Sequence, residues 1–350
     1  MRDGRPCLGC VTGVVETALP TCGLGNRHVV ASWAKETSRG ERQTTRNEED
    51  IIDWFGWDYD DLKNDPNIAL GTVADRTECS GFDKVLYMAS NALILKGTYK
   101  GREVALKVSR DNENAWNEIA ALTAMEGDNH CVEALSWYTI PAESAQKQPD
   151  HVTVIVEPYI PTPEKNVQVT TWGNDGVGET HSIPVMSSSA ELRDYMEQLL
   201  EAIRHIHKRS WVHLDIKPSN ILVEETHSGM SLTLIDFDVA LKLDQALRAK
   251  IQYGTPFFQP PEVRTGDQAR LSAKADIFSA GITFALVASC AHPSADPLVF
   301  DVDDPSIVIK RCEDSPILNG KGLKLVRAMT HPDPTRRPTA LAALQHSYFS

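Results

Sequence analysis

Residues 211–243, WVHLDIKPSNILVEETHSGMSLTLIDFDVALKL, set Asp215, Lys217, Asn220 and Asp236 around two short apolar runs, ILVE and LTLIDF. Apolar runs separated by a polar turn predict a pair of short strands. The four polar residues then converge at one mouth of that hairpin. Phosphoryl transfer asks mainly for positioning and charge neutralisation: an acceptor for a hydroxyl proton, a cation on the phosphate and oxygen ligands for magnesium. Two aspartates, a lysine and an asparagine are side chains of those types.

Working outward, the texture from Phe82 is strand-like: ALILKG and EVALKVS flank a tight TYKGR turn as in a hairpin. ENAWNEIAALTAM follows as a helical stretch, and HVTVIVEPYI is a continuous apolar run suited to a strand buried on both faces. Residues 161–184 are polar, with QVTTW and THSIPV around GNDGVG forming a surface hairpin. Leu192, Met196, Leu199, Leu200, Ile203 and Ile206 recur at helical spacing beside a serine run suited to capping. From about residue 268 the chain is mostly helical, and IFSAGITFALVASCA reads as a buried core helix, shorter than the roughly 20 residues that span a bilayer. Pattern alone thus gives an α+β architecture, a small sheet lobe followed by a larger helical one.

Composition narrows the partners. Over 350 residues, 35 basic and 48 acidic side chains leave a net charge of −13, which argues against non-specific binding to nucleic acid or to an anionic membrane. A basic protein surface fits better. Cys7, Cys10, Cys22, Cys79, Cys131, Cys290 and Cys312 are odd in number and scattered, as expected of reduced thiols in the cytoplasm or nucleus. Cys7, Cys10 and Cys22 with His28 have zinc-ligand chemistry but no strand or helix signal to hold it. The apolar stretch near Arg2 and Arg5 is broken by Thr12, Gly13 and Glu16, so no secretory segment is expected. Residues 1–81 lack a sustained period and read as a largely disordered extension. Within it Trp54, Phe55, Trp57 and Tyr59 among carboxylates suit either a docking segment for a basic partner or a short helix packed on the main domain.

In chain order, His213-Leu214-Asp215 with Lys217 and Asn220, then Asp236-Phe237-Asp238, then Pro260-Pro261-Glu262, resemble the catalytic loop, magnesium loop and Ala-Pro-Glu element of eukaryotic protein kinases. Lys107 in VALK and Glu118 in NEIAAL stand where that family pairs a strand lysine with a helix glutamate. Asp276 in KADIFSAG and Arg337 in HPDPTRRP match two structural markers of its helical lobe. The likeness covers about residues 82–350, with lobes at about 82–157 and 160–350. It implies a two-lobed protein-kinase-like fold that uses ATP with Mg²⁺, or Mn²⁺ in its place, on protein substrates. Asp215, Lys217 and Asn220 are then the catalytic set: Asp215 orients the substrate hydroxyl and accepts its proton, and Lys217 neutralises the transferring phosphate. Asn220 and Asp236 hold the metal, and Lys107 grips the nucleotide phosphates with Glu118 holding it in place. Adenine is expected between Ile94 and Ala105 above and Leu222 below, with Leu86 in the same nucleotide-binding set. Backbone groups of Glu157 and Tyr159 are expected on its polar edge, with Val156 as a small gatekeeper.

Lys217, together with Thr255 in GTPFFQPPE, resembles the serine/threonine-directed members, and small-molecule phosphotransferases usually lack that segment. Three departures stand out. Tyr87, Ala89 and Ala92 occupy the three glycine positions of the nucleotide loop, so fewer N–H groups are expected to reach the phosphates. Asp238 replaces the magnesium-loop glycine, and Leu214 replaces an arginine that in many members binds an activation-loop phosphate. FDVALKLDQALRAKIQYG contains no serine or threonine, only Tyr253, so activity is expected not to wait on Ser/Thr phosphorylation there. Two function classes follow: an ATP-dependent serine/threonine protein kinase, or a catalytically impaired pseudokinase acting as a scaffold or allosteric binder.

Overall fold

The computed structural model describes residues 73, 76–88, 92–109, 112–141, 151–161, 166–172, 178–227, 229–246, 254–266, 271–291, 298–301 and 304–350. The zinc-type residues Cys7, Cys10, Cys22 and His28 and the aromatic patch at 54–59 lie outside them, as do Ala89 and Tyr253.

The first lobe is an antiparallel sheet in the order β1-β2-β3-β5-β4. Its strands are β1 Cys79–Met88, β2 Ala92–Tyr99, β3 Arg102–Ser109, β4 Ser136–Pro141 and β5 His151–Pro158, with helix α1 at Asn112–Met125 between β3 and β4. The expected turn closes β2 on β3 through Lys100 and Gly101, at φ 49° and 79°. Left-handed residues at both centres of a two-residue turn match the strands' own twist. Alternation along the strands divides the sheet into two faces. Leu93, Leu95, Val104, Leu106, Val154 and Val156 form one apolar cluster on the outer face. Ile94 pairs with Lys107 and Ala105 with Glu157 on the other face, which looks into the cleft. The folded part begins before Phe82, contrary to the expected boundary. Cys79 pairs with Tyr99, and the fully buried Val73 packs in the outer cluster.

The second lobe opens with a hairpin of β6 Asn166–Trp172 and β7 Gly178–Pro184. This element is more than a surface hairpin. Val169, Thr171, His181, Ser182 and Ile183 are buried, and β12 at Leu298–Asp301 adds a parallel third strand against β6. Helix α2, Ser189–Lys208, buries the whole predicted apolar stripe. Its start is a reciprocal cap: Ser188 Oγ accepts from the Glu191 N–H at 3.2 Å, and Glu191 Oε2 accepts from the Ser187 N–H at 2.8 Å. Then come β8 Trp211–Val212, the hairpin β9 Ile221–Thr226 and β10 Gly229–Leu234, β11 Leu241–Lys242, α3 Leu243–Ala246 and α4 Pro261–Arg264. Helix α5, Lys274–Cys290, is buried from Ala275 to its end. Its serines are satisfied internally, Ser279 Oγ donating to the Phe258 carbonyl at 2.8 Å and Ser289 Oγ to the Ala285 carbonyl at 2.7 Å. Helices α6 Ser306–Arg311, α7 Gly320–Met329 and α8 Ala340–Leu344 complete the lobe. No helix among the described residues is long and apolar enough to cross a membrane, and Cys79, Cys131, Cys290 and Cys312 are buried free thiols.

Arg337 ties α4 to the base of α5. The residue is 2% exposed and its guanidinium is bidentate on Glu262, Nη1 to Oε1 at 2.6 Å and Nη2 to Oε2 at 2.8 Å, while Nε donates to the His331 carbonyl at 2.7 Å. Removing one partner of such a pair leaves a buried charge uncompensated. Arg337→Met is expected to cost about 3–5 kcal/mol of stability, read as a lowered midpoint in equilibrium urea unfolding.

Candidate active site

Residues 213–220 connect β8 to β9 and are held from below by Asp276 of α5. The fully buried Asp276 accepts the His213 N–H on Oδ2 at 2.9 Å and the Leu214 N–H on Oδ1 at 2.8 Å, and its Oδ2 lies 2.8 Å from His207 Nε2. Burial alone would raise this carboxyl, but the His207 hydrogen bond keeps it below the usual range. His213 Nε2 stands 3.1 Å from the Ile235 carbonyl and its ring 4.7 Å from that of Phe237, so the loop after β10 is fixed to the same frame. Leu214 adopts φ 66°, a left-handed conformation held by those bonds. Its side chain packs with Val212, Val263, Leu271 and Ala275, and Val239, Leu241 and Leu243 pack against that cluster.

Asp215, Lys217 and Asn220 meet in one buried cluster. Asn220 Nδ2 donates to Asp215 Oδ2 at 3.1 Å, and Lys217 Nζ lies 3.2 Å from the same oxygen. Asp215 Oδ1 accepts both the Thr255 N–H and its hydroxyl at 2.8 Å, and Lys217 Nζ donates to Thr255 Oγ1 at 2.5 Å. Burial opposes charge on Asp215, yet Lys217 and Thr255 bring its carboxyl below the usual value, so it is ionised at neutral pH. Gly254 makes the Thr255 contact possible. At φ +85° it passes so close that a Cβ there would lie 2.2 Å from the Leu214 carbonyl oxygen. A further partner was not expected from the sequence: Glu179 of β7 places Oε1 3.1 Å from Lys217 Nζ. Lys217 is thereby held by two carboxylates and sits above the usual lysine range despite its burial.

Lys107 joins the lobes. Its Nζ lies 2.8 Å from Glu118 Oε2 on α1 and 2.7 Å from Asp236 Oδ1 in the loop after β10. Burial disfavours charge on Lys107, but Asp236 and Glu118 hold it well above the usual range. Asn117 adds a second tie from α1, its Nδ2 donating to the Ala240 carbonyl at 2.6 Å. Asn220 Oδ1, Asp236 Oδ2 and Asp238 Oδ1 are buried oxygens without a hydrogen-bond partner. Oxygen donors of this type fit Mg²⁺, which takes few protein ligands and completes its shell with water and phosphate. In keeping with so sparse a set, no group of three His, Cys, Asp or Glu among the described residues is placed to hold a metal. Burial and the neighbouring Asp236 push the Asp238 carboxyl well above the usual range.

On the nucleotide side Ile94 and Ala105 are buried, as is Leu222 on β9, and Leu86 is half-buried where β1 shifts register against β2. Two expectations are corrected here. Val156 packs in the outer cluster and its carbonyl accepts the Leu135 N–H at 2.8 Å, so it does not line the cleft. Glu157 takes that place with its side chain rather than its backbone, and burial together with Glu118 pushes its carboxyl up to about 8 against the pull of Lys107. The Tyr159 N–H donates to the Glu103 carbonyl at 3.2 Å, which takes it away from a base edge. Its ring lies under Lys96 Nζ, 4.4 Å from the centroid.

Residues 92–349 match the protein kinase domain family. Among curated proteins, a titin homolog of Caenorhabditis elegans is 38% identical over 132 residues, 35% of this chain and 1% of that protein. A serine/threonine-protein kinase/endoribonuclease IRE1 of Oryza sativa subsp. japonica is 25% identical over 295 residues, 77% of this chain and 30% of that protein. Cyclin-dependent kinase 2 of Caenorhabditis elegans is 30% identical over 188 residues, 45% of this chain and 50% of that protein. The chain thus matches no more than half the length of these relatives.

Two outcomes follow from the charges. Glu157 titrates near 4.5 when unfolded and near 8 when folded, so the folded state holds the extra proton between those values. Stability therefore falls as pH rises through that window, and Glu157→Gln flattens the fall in melting temperatures measured at stepped pH. Glu179→Gln keeps an acceptor beside Lys217 but removes a charge, and is expected to lower stability by about 1 kcal/mol in urea unfolding.

Proposed function

The chain belongs to the protein kinase family, and on that premise we propose that it transfers the γ-phosphate of ATP to serine or threonine hydroxyls of protein substrates inside the cell. One observation carries the reading. Lys107 holds Glu118 and Asp236 at the same time, the arrangement phosphoryl transfer needs before any substrate arrives. The bound Mg²⁺ would neutralise phosphate charge, with Asn220 and Asp236 as its protein ligands. Asp215, ionised and oriented by Asn220 and Thr255, accepts the hydroxyl proton. Lys217, fixed beside it, meets the charge of the phosphoryl group in flight. A hydroxyl-bearing side chain as acceptor is supported by Thr255, which bonds both Asp215 and Lys217 and so shapes the approach to them. Leu214 supports activity without loop phosphorylation, since an apolar cluster holds that segment where a phosphate-binding arginine would stand.

The competing reading, a scaffold that binds nucleotide without transfer, is favoured by Glu179. Its carboxylate already occupies Lys217, negative charge where phosphate has to come. Transfer from labelled ATP with Mg²⁺ or Mn²⁺ to generic basic proteins separates the two. The kinase reading expects incorporation on serine or threonine, reduced at least about 100-fold by Asp215→Asn. Nucleotide-dependent thermal stabilisation without any incorporation would favour the scaffold.

A further inference from the structure

The ammonium of Lys217 has three N–H donors, and three oxygens stand around it. Thr255 Oγ1 lies at 2.5 Å, Glu179 Oε1 at 3.1 Å and Asp215 Oδ2 at 3.2 Å. A phosphoryl oxygen that comes to this ammonium therefore has to displace one of them. Asp215 and Thr255 are buried and bonded to each other, with the Asp215 side chain only 4% exposed. The Glu179 side chain is 28% exposed and arrives from a separate element, β7. Glu179 is the partner that can leave.

Its backbone is held in place. Glu179 pairs with Thr171, whose Oγ1 donates to the Glu179 carbonyl at 3.4 Å, so the exchange is a rotation of the side chain. Once off Lys217 the carboxylate needs another cation, because beside an incoming phosphate it sets like charge against like. His181 does not supply one, its Nδ1 standing 3.8 Å from Oε1, beyond hydrogen-bond reach. Both side-chain contacts of Glu179 fall on Oε1, and among the described residues none is placed on Oε2. The charges state the same need, since Asp215 and Glu179 share a single ammonium and leave one negative charge in excess. Only that ammonium separates the two carboxylates. A cation that meets Glu179 is therefore a near neighbour of the hydroxyl that Asp215 receives.

We propose that Glu179 reads the protein substrate: a lysine or arginine flanking the acceptor hydroxyl takes over its carboxylate, and the N–H this frees on Lys217 passes to the transferring phosphate. The substrate class is a serine or threonine beside a basic side chain. The inference rests on the phosphoryl-transfer reading given under the proposed function and adds the residue that selects the acceptor. The test supplies the full chain with labelled ATP, Mg²⁺ and serine peptides carrying arginine at each flanking position in turn. Each is paired with its citrulline twin, which keeps the shape and loses the charge. At one position arginine is expected to exceed citrulline at least about tenfold in kcat/KM, with part of the gain in kcat because the freed N–H acts in the transition state. In Glu179→Gln that preference shrinks at least about fivefold, whereas a merely structural role would lower both peptides alike and keep their ratio. Equal turnover of the twins by the unmodified protein, a preference confined to KM, or an unchanged ratio in a folded Glu179→Gln overturns the role of Glu179 and leaves phosphoryl transfer standing. No transfer to any peptide or to generic basic proteins overturns that reading, and the inference with it.

Discussion

The ε-ammonium of Lys107 is the point on which both lobes depend. It sits 2.8 Å from Glu118 and 2.7 Å from Asp236, three buried charges contributed by β3, α1 and the loop after β10. A lone buried ammonium carries a desolvation cost of several kcal/mol, so Lys107 keeps its charge there because Asp236 and Glu118 stand against it. The position of α1 and the conformation of the loop after β10 are therefore coupled through Lys107. Asn117 strengthens the same coupling by gripping the Ala240 carbonyl from the helix.

Below this point the cleft is held together by hydrogen bonds to fixed carboxylates. Asp276 pins the backbone at His213 and Leu214, and Asp215 in turn pins Thr255 across the cleft floor. These bonds constrain backbone positions, which is why a left-handed Leu214, at φ 66°, persists there. Glu179 is the addition peculiar to the β6–β7 hairpin. It extends the network from the loop at residues 213–220 to a sheet whose third strand, β12, comes from beyond α5.

The residues legible in the sequence were those fixed by local chemistry. Asp215, Lys217, Asn220 and Asp236 stand at spacings set by one loop and one hairpin, so their convergence followed from two short strands. The stripe from Leu192 to Ile206 was legible because a helix has one period and one apolar face. Glu157 was misread by one position, since the strand is buried on both faces from Val152 to Glu157 and its run VIV carries no alternation to say which face a residue takes. A shift of one residue in a strand exchanges the two faces, and it moved a carboxylate from the outer surface into the cleft. Glu179 and β12 were hidden for a different reason. Their partners lie far away in the chain, and a mostly polar hairpin whose buried face mixes Val169 and Ile183 with Thr171 and His181 reads like any surface loop. Val73 was missed because an isolated buried valine carries no period.

The apolar cluster around Leu214 bears on how this protein can be controlled. Where a latch is made of an arginine and a phosphate, it is written by one enzyme, erased by another and loosened by salt. A latch of leucine, valine and alanine has no covalent mark to remove and no field to screen. Its strength follows the hydration of hydrocarbon, weakening on cooling and in chaotropes and strengthening in salts excluded from the protein surface. The side chain of Leu214 is held by packing, and the charge that fixes its backbone is that of Asp276, which accepts the His213 and Leu214 N–H groups.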